Sequence, residues 1–391
     1  MERRLFLSGM TALGMSMATI VLASPGRGLD AASTSTSTSN DRDDPMSALR
    51  PPKRARPLVA IVADNRGTET TDLMIPQAVL ARSGLAEVIV VAPEPGNIAL
   101  MPALAIAAQS TLAAFDLAYP EGADYVIVPA FHHDDSKGPI IDWIKRQAAS
   151  RAIIAGICEG AKVLGRAGLL DGRNATTHWY AAGELRSRHP TLRWTPHRRY
   201  VVDHGIVTTT GVSASLPVSL KLVEAIGGSG AAQALAASLG VADYGDAHDS
   251  DRYRLGAAHV WNALSNSAAV WRHETIGIPA EPGVDGIALA LAADPWSRTY
   301  RSRALALGAS PSVPTRDGLD LHIDARMDEA RADLVVPLDA GAPPAKQLDT
   351  SLTAIAARYG HGTADLVALQ LEYPWPCPSP AGGTCPAGAA A

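Results

Sequence analysis

GICEGAKVLGRAGLLDG, from Gly156 to Gly172, ends an apolar run on a cysteine and passes at once into a helix-like pattern. The run before it, AIIAGI (152–157), has the length and β-branched content of a buried strand. A strand ending at Ile157 and a helix beginning near Gly160 force a sharp turn at Cys158, with Gly156 and Gly160 relieving the crowding on either side. That is the geometry of a nucleophile elbow, with a thiol in place of a hydroxyl. The positive end of the following helix favours thiolate there. The plainer alternative is a buried structural cysteine, since free cysteine is among the most buried residue types.

Outward from the elbow, LVAIVA (58–63), EVIVVA (87–92) and DYVIVPA (124–130) repeat the strand pattern. LMIPQAVLARSG (73–84) and PIIDWIKRQAAS (139–150) alternate with them as helices. Near-continuous apolar strands separated by helices predict an α/β fold with a parallel sheet covered on both faces. Active sites in such sheets lie beyond the carboxyl ends of the strands, where Cys158 falls.

The chain has 391 residues, 47% of them hydrophobic and 19% charged, which excludes wholesale disorder and allows one large or two ordinary domains. A net charge of −5 without a long basic block gives no reason to expect nucleic acid as a partner. The expected partner is a small molecule, and no cofactor is implied.

MERRLFLSG carries Arg3-Arg4 followed by Phe6-Leu7, then an apolar stretch to about Ala23 diluted by Ser8, Gly9, Thr11, Gly14, Ser16 and Thr19. This matches a twin-arginine export signal over residues 1–32, with a chance arginine pair before a membrane anchor as the alternative. A periplasmic or secreted protein without a stable anchor follows. STSTSTSNDRDD (33–44) and PPKRARP (51–57) extend a tether through residue 56.

GICEGAKVLGRAGLLDGRNATTHW (156–179) and RRYVVDHGIVTTTGVSASLPVSLKLVEAIGG (198–228) together resemble the ThiJ/PfpI superfamily of class I glutamine amidotransferase-like domains. The resemblance is nearest to the branch of isocyanide hydratases and sensor domains of AraC-type regulators, and covers residues 57–244. It implies a flavodoxin-like sandwich, a reactive Cys158, an acidic partner from the loop after the first strand, and frequent dimerisation. Asp72 keeps the family's spacing to a proline, Pro76; its other reading is an N-cap, and Glu69 is the second candidate. His178 falls where family members place a histidine near the cysteine; a structural hydrogen bond explains it equally well.

Two features depart from the family pattern. Glu159 follows the nucleophile where the peptidase branch has histidine, which speaks against peptidase activity. It reads either as an exposed glutamate at a helix start or as an acid/base beside the thiol. Ala130-Phe131 replaces the usual Gly-Gly, leaving an oxyanion hole to the Glu159 amide with that of Ala130 or Phe131, against Gly160. FHHDDSKG (131–138) offers metal-ligand types without ligand spacing, so no metal is expected; His132 and His133 are expected at the pocket mouth.

Residues 245–376 read as a degenerate second copy without a nucleophile. TIGIPAEPGVDGIALALAA (275–293) echoes the first strand, loop and helix, with Asp285 in the place of Asp72. PSVPTRDGLDLHIDARMDEARADLVVPL (311–338) and SLTAIAARYGHGTADLVALQLEYPW (351–375) echo later segments; generic α/β patterning is the alternative. The expectation is an intrachain pseudo-dimer or a homodimer. Cys377 and Cys385 lie in a Pro/Gly-rich tail, 377–391, where a small-loop disulfide would suit an oxidising compartment. Two functions follow: a cysteine-dependent hydratase or hydrolase acting on a small electrophile, or a non-catalytic ligand or redox sensor.

Overall fold

The computed structural model describes Met46, residues 49–132 and residues 138–376. Residues 1–32, read above as an export signal, most of FHHDDSKG including His133, and the tail cysteines lie outside the described residues. Among the described residues, no helix is long and apolar enough to cross a membrane.

Leu58–Val62 is buried at every position and is an interior strand of a seven-stranded sheet. The order is Tyr200–Asp203, Ile206–Thr209, Ile153–Gly156, Tyr125–Val128, Leu58–Val62, Glu87–Ala92, Ser110–Thr111. All neighbours are parallel except the hairpin of Tyr200–Asp203 with Ile206–Thr209. Strands buried on both faces need a helical layer on each, and two apolar cores supply it. Trp143 and Ile144 of helix Pro139–Ala149 pack with Val126 and Ile154 in one core, and Leu73 and Met74 of helix Thr70–Ser83 pack with Ile61 and Ile127 in the other. Each such buried side chain contributes roughly 1.5–3 kcal/mol.

The expected tether ends earlier than residue 56. Asp124 is buried and needs donors; Arg54 Nη1 meets its Oδ2 at 2.8 Å and Leu58 N–H donates to the same oxygen at 2.8 Å. Residues 53–57 are therefore anchored to the sheet.

In the second half, Ala325–Arg326, Ser302–Gly308, Glu274–Pro279 and Leu334–Val335 form a four-stranded parallel sheet in that order. The same order runs through Ser110–Thr111, Glu87–Ala92, Leu58–Val62 and Tyr125–Val128. Between second and third strands each half inserts a hairpin, Asn97–Met101 with Ala105–Ala107 and Ser312–Pro314 with Asp320–His322, and the two hairpins meet through Leu321 and Ile106. Helix Ser215–Leu239 breaks at Gly228 (φ 83°, ψ 168°), and Gln347–Tyr359 gives way to His361–Gln370 at Gly360 (φ 91°, ψ 156°). Both breaks use the left-handed side of φ that glycine tolerates. The second half has no counterpart of the elbow strand: after Val335 the next regular element is a 3₁₀ turn at Pro344–Lys346.

The halves share one core, in which Leu73 and Met74 join Ile287, Leu291 and Trp296 of helix Gly286–Ser297. Arg82 bridges Asp285 at 2.7 Å and Asp317 at 2.6 Å across the join. Asp285 caps its helix, accepting from Ile287 N–H and Ala288 N–H, so it occupies the place of Glu69 rather than that of Asp72.

Candidate active site

Cys158 sits between strand Ile153–Gly156 and helix Gly160–Arg166 at φ 54°, a left-handed conformation costing an ordinary residue roughly 1–2 kcal/mol. Three bonds hold it there. Cys158 N–H donates to Thr209 Oγ1 at 3.0 Å, Thr177 Oγ1 donates to the Cys158 carbonyl at 2.8 Å, and Gly160 N–H closes on the Ile157 carbonyl at 2.7 Å. Only glycine fits at 160, because a Cβ would lie 2.0 Å from the Val128 carbonyl oxygen.

Facing the elbow, helix Thr70–Ser83 begins at Glu69, whose Oε2 accepts from Asp72 N–H at 2.5 Å. Glu69 is thus the N-cap, and Asp72 is the third helical residue with a fully buried side chain. Asp72 Oδ2 accepts from Ala130 N–H at 3.2 Å, and Oδ1 from Ser215 Oγ at 3.4 Å. Burial pushes the Asp72 carboxyl up to about 7, against the Ala130 hydrogen bond and the charge of Arg298.

The second half completes the cluster. Arg298 Nη2 donates to Glu69 Oε1 at 2.7 Å, Arg298 Nε donates to Asp294 Oδ1 at 2.5 Å, and Thr71 Oγ1 donates to Asp294 Oδ2 at 3.3 Å. Burial opposes the Arg298 charge, but Asp294 and Glu69 outweigh it and keep the guanidinium charged. Burial, then Asp72 and Asp294, push Glu69 well above the usual carboxylate range. Glu69 and Asp72 thus hold protons that exposed carboxyl groups would release.

Cys158 is 6% exposed. Burial first, then the charges of Asp72, Glu159 and Glu69, push its thiol well above the ordinary range. Burial outweighs the short helix, so the free site holds thiol rather than the expected thiolate. Among the described residues no hydrogen bond joins Asp72 to Sγ; its influence is that of a nearby charge.

Other expected participants are placed differently. His178 is 7% exposed, its Nε2 lies 3.0 Å from the Gln370 carbonyl oxygen, and its Nδ1 accepts from Tyr180 N–H at 3.4 Å. These contacts are the structural hydrogen bonds of the plainer reading, and they tie His178 to the C-terminal segment. Glu159 is engaged by Lys162 at 3.2 Å, and Lys162 also bridges Glu184 at 3.0 Å. This is the helix-start reading of Glu159. The Ala130 and Gly160 amides are already bonded, so neither is free for an oxyanion; Phe131 pairs with Thr68 in a single bridge. His132 N–H donates to the Gly67 carbonyl at 2.9 Å.

Residues 369–373 close over the elbow. Trp179 Nε1 donates to the Leu369 carbonyl at 2.9 Å and Ser213 N–H to that of Leu371 at 3.1 Å. Glu372, buried at φ 53°, takes the Gly211 N–H on Oε2, and its Oε1 lies 3.3 Å from His248 Nε2. A cleft of about 320 Å³ opens further along the same sheet edge, lined by Asp64, Arg66, Phe131, Ile140 and Arg166. Cys158 does not line it.

A parallel sheet with a cysteine elbow facing a buried carboxyl defines a class of α/β protein built around one thiol. Residues 58–225 match the DJ-1/PfpI family. It is 38% identical over 94 residues to an isonitrile hydratase of Pseudomonas putida, covering 24% of this chain and 40% of that relative. It is 30% identical over 151 residues to the HTH-type transcriptional regulator GlxA of Rhizobium meliloti, covering 37% and 44%. The chain thus spans less than half the length of these curated relatives. Among solved structures, a ThiJ/PfpI family protein from Pseudomonas syringae aligns with TM-score 0.43 and 22% identity over 53% of this chain and 83% of that one. Oxidized DJ-1 of Toxoplasma gondii aligns with TM-score 0.42 and 23% identity over 48% and 100%.

Proposed function

We propose that the protein is a cysteine-dependent hydratase acting on a small electrophilic carbon, with an isocyanide as the reference substrate. The observation that carries this reading is a buried carboxyl, Asp72, poised near pH 7 beside an elbow thiol. Such a group takes and returns a proton at neutral pH. Sulfur adds to the terminal isocyanide carbon as the thiol proton passes to Asp72, and Asp72 delivers that proton to the same carbon, giving a thioimidate. Water then adds across the C=N bond, hydroxyl to carbon and proton to nitrogen. Breaking the C–S bond returns sulfur and proton to the enzyme and releases a formamide. Likeness to an isonitrile hydratase supports this chemistry.

A buried thiol closed over by residues 369–373 favours a second reading, a ligand or redox sensor, with regulators of the HTH type among the relatives. The matching strand orders and glycine breaks support a second copy that occupies the place of a partner subunit. The Arg3-Arg4 leader supports twin-arginine export to the periplasm.

The test is incubation with a small alkyl isocyanide and mass-spectrometric detection of the formamide. Wild type forms product, and Cys158→Ser and Asp72→Asn lose at least about a hundredfold, the scale of one acid–base group. Equal rates in wild type and Cys158→Ser refute the hydratase; Cys158-dependent binding without product leaves the sensor.

A further inference from the structure

Helix Ala257–Ala268, AAHVWNALSNSA, is built inside out. Its polar residues face the protein. His259 Nε2 lies 2.8 Å from Asp365 Oδ2, and Asn266, 9% exposed, donates to the Thr299 carbonyl at 3.0 Å and to Thr363 Oγ1 at 3.1 Å. Asn262 packs on Gly362, where a Cβ would lie 2.7 Å from its Nδ2. The opposite face carries Ala257, Trp261, Leu264 and Ala268, all exposed, and Trp271 continues the stripe in the following 3₁₀ turn. Their spacing of four, three, four and three residues is that of a helix–helix seam. A helix that faced only solvent would carry the reverse pattern.

The exposures are large: Trp261 72%, Leu264 57%, Val270 65% and Trp271 78%. At up to about 250 Å² per tryptophan, the two indoles alone leave on the order of 350 Å² open. With Leu255, Leu264 and Val270 the patch passes the roughly 300–600 Å² found on monomers and approaches the ~800 Å² per partner of a standard interface.

We propose that this face is the contact between two copies of the chain, related by a two-fold axis that sets helix Ala257–Ala268 against itself. A two-fold interface needs a self-complementary surface, and an uncharged seam meets its own copy without repulsion. The helix holds no Asp, Glu, Lys or Arg, and the nearest exposed cations, Arg254 and Arg272, lie at the two ends of the patch rather than along the seam. This contact lies outside the join between the two halves of one chain and does not depend on the chemistry of Cys158.

Sedimentation equilibrium of the full chain across micromolar concentrations tests it, with far-UV circular dichroism and thermal melts as folding controls. Wild type sediments as a dimer, and Trp261→Glu and Leu264→Glu each weaken association at least tenfold with unchanged melting. A wild-type monomer overturns the proposal, whether the indole emission shows the patch open or covered by the chain's own leading segment. A dimer unaffected by both substitutions overturns it equally, and so does a monomer that floats with neutral phosphatidylcholine vesicles.

Discussion

Arg298 Nη2 donates to Glu69 Oε1 at 2.7 Å, joining the end of a second-half helix to the N-cap of the helix that carries Asp72. The contact spans the two halves and places one cation among three carboxyl groups. Without Arg298, Glu69, Asp72 and Asp294 face one another with no cation among them.

Arg298→Met is therefore expected to cost about 3–5 kcal/mol, the range for breaking a buried ion pair by removing one partner. Urea denaturation measures it. Adding Glu69→Gln to Arg298→Met restores part of the loss, because the second change removes an uncompensated acid. Equal stability of the single and double variants would show that Glu69 is not the group Arg298 serves.

Asp72 gives the fold a pH dependence of definite sign. Its folded pKa of about 7 lies above the ordinary carboxylate value near 4, so the folded state binds more protons in that interval. The associated stability is complete below the unfolded pKa and is lost as pH rises through about 7. Wild type should lose stability relative to Asp72→Asn between about pH 4 and pH 7. A difference that stays flat, or that grows with pH, contradicts the placement of Asp72.

The elbow is steric before it is chemical. Gly160→Ala places a methyl 2.0 Å from the Val128 carbonyl oxygen, backbone that has no rotamer to change. A loss of more than about 3 kcal/mol or failure to fold is expected, whereas Cys158→Ser keeps the turn and melts near wild type. A Gly160→Ala variant as stable as wild type would mean that helix and strand are further apart than described.

Much of this was legible in the sequence because it is local. The strands at 58–63, 87–92 and 152–157 follow from continuous apolar runs, and the elbow from two glycines flanking Cys158. Asp72 was placed by its spacing to Pro76. What escaped depends on contacts between distant segments: Arg298 reaches Glu69 across 229 positions, and nothing around WSRTY marks a charge destined for burial. Asp294 and Glu372 were hidden for the same reason. The partners of His178 and the Ala130 amide, Gln370 and Asp72, were hidden likewise, because each comes from a distant segment. The thiolate expectation weighed a helix dipole without the carboxylates that fold around it.

The central claim is that Asp72, rather than Glu159, governs the Cys158 thiol, and the pH dependence of Cys158 alkylation in the folded protein tests it most directly. A carboxylate beside the sulfur raises the thiol pKa, so Asp72→Asn should move the midpoint of iodoacetamide labelling to lower pH by on the order of one unit. Glu159→Gln should move it much less, because Lys162 already compensates that charge in a more exposed setting. Peptide mass mapping assigns the label. A larger shift in Glu159→Gln than in Asp72→Asn, or labelling of Cys158 only after denaturation, would contradict the account.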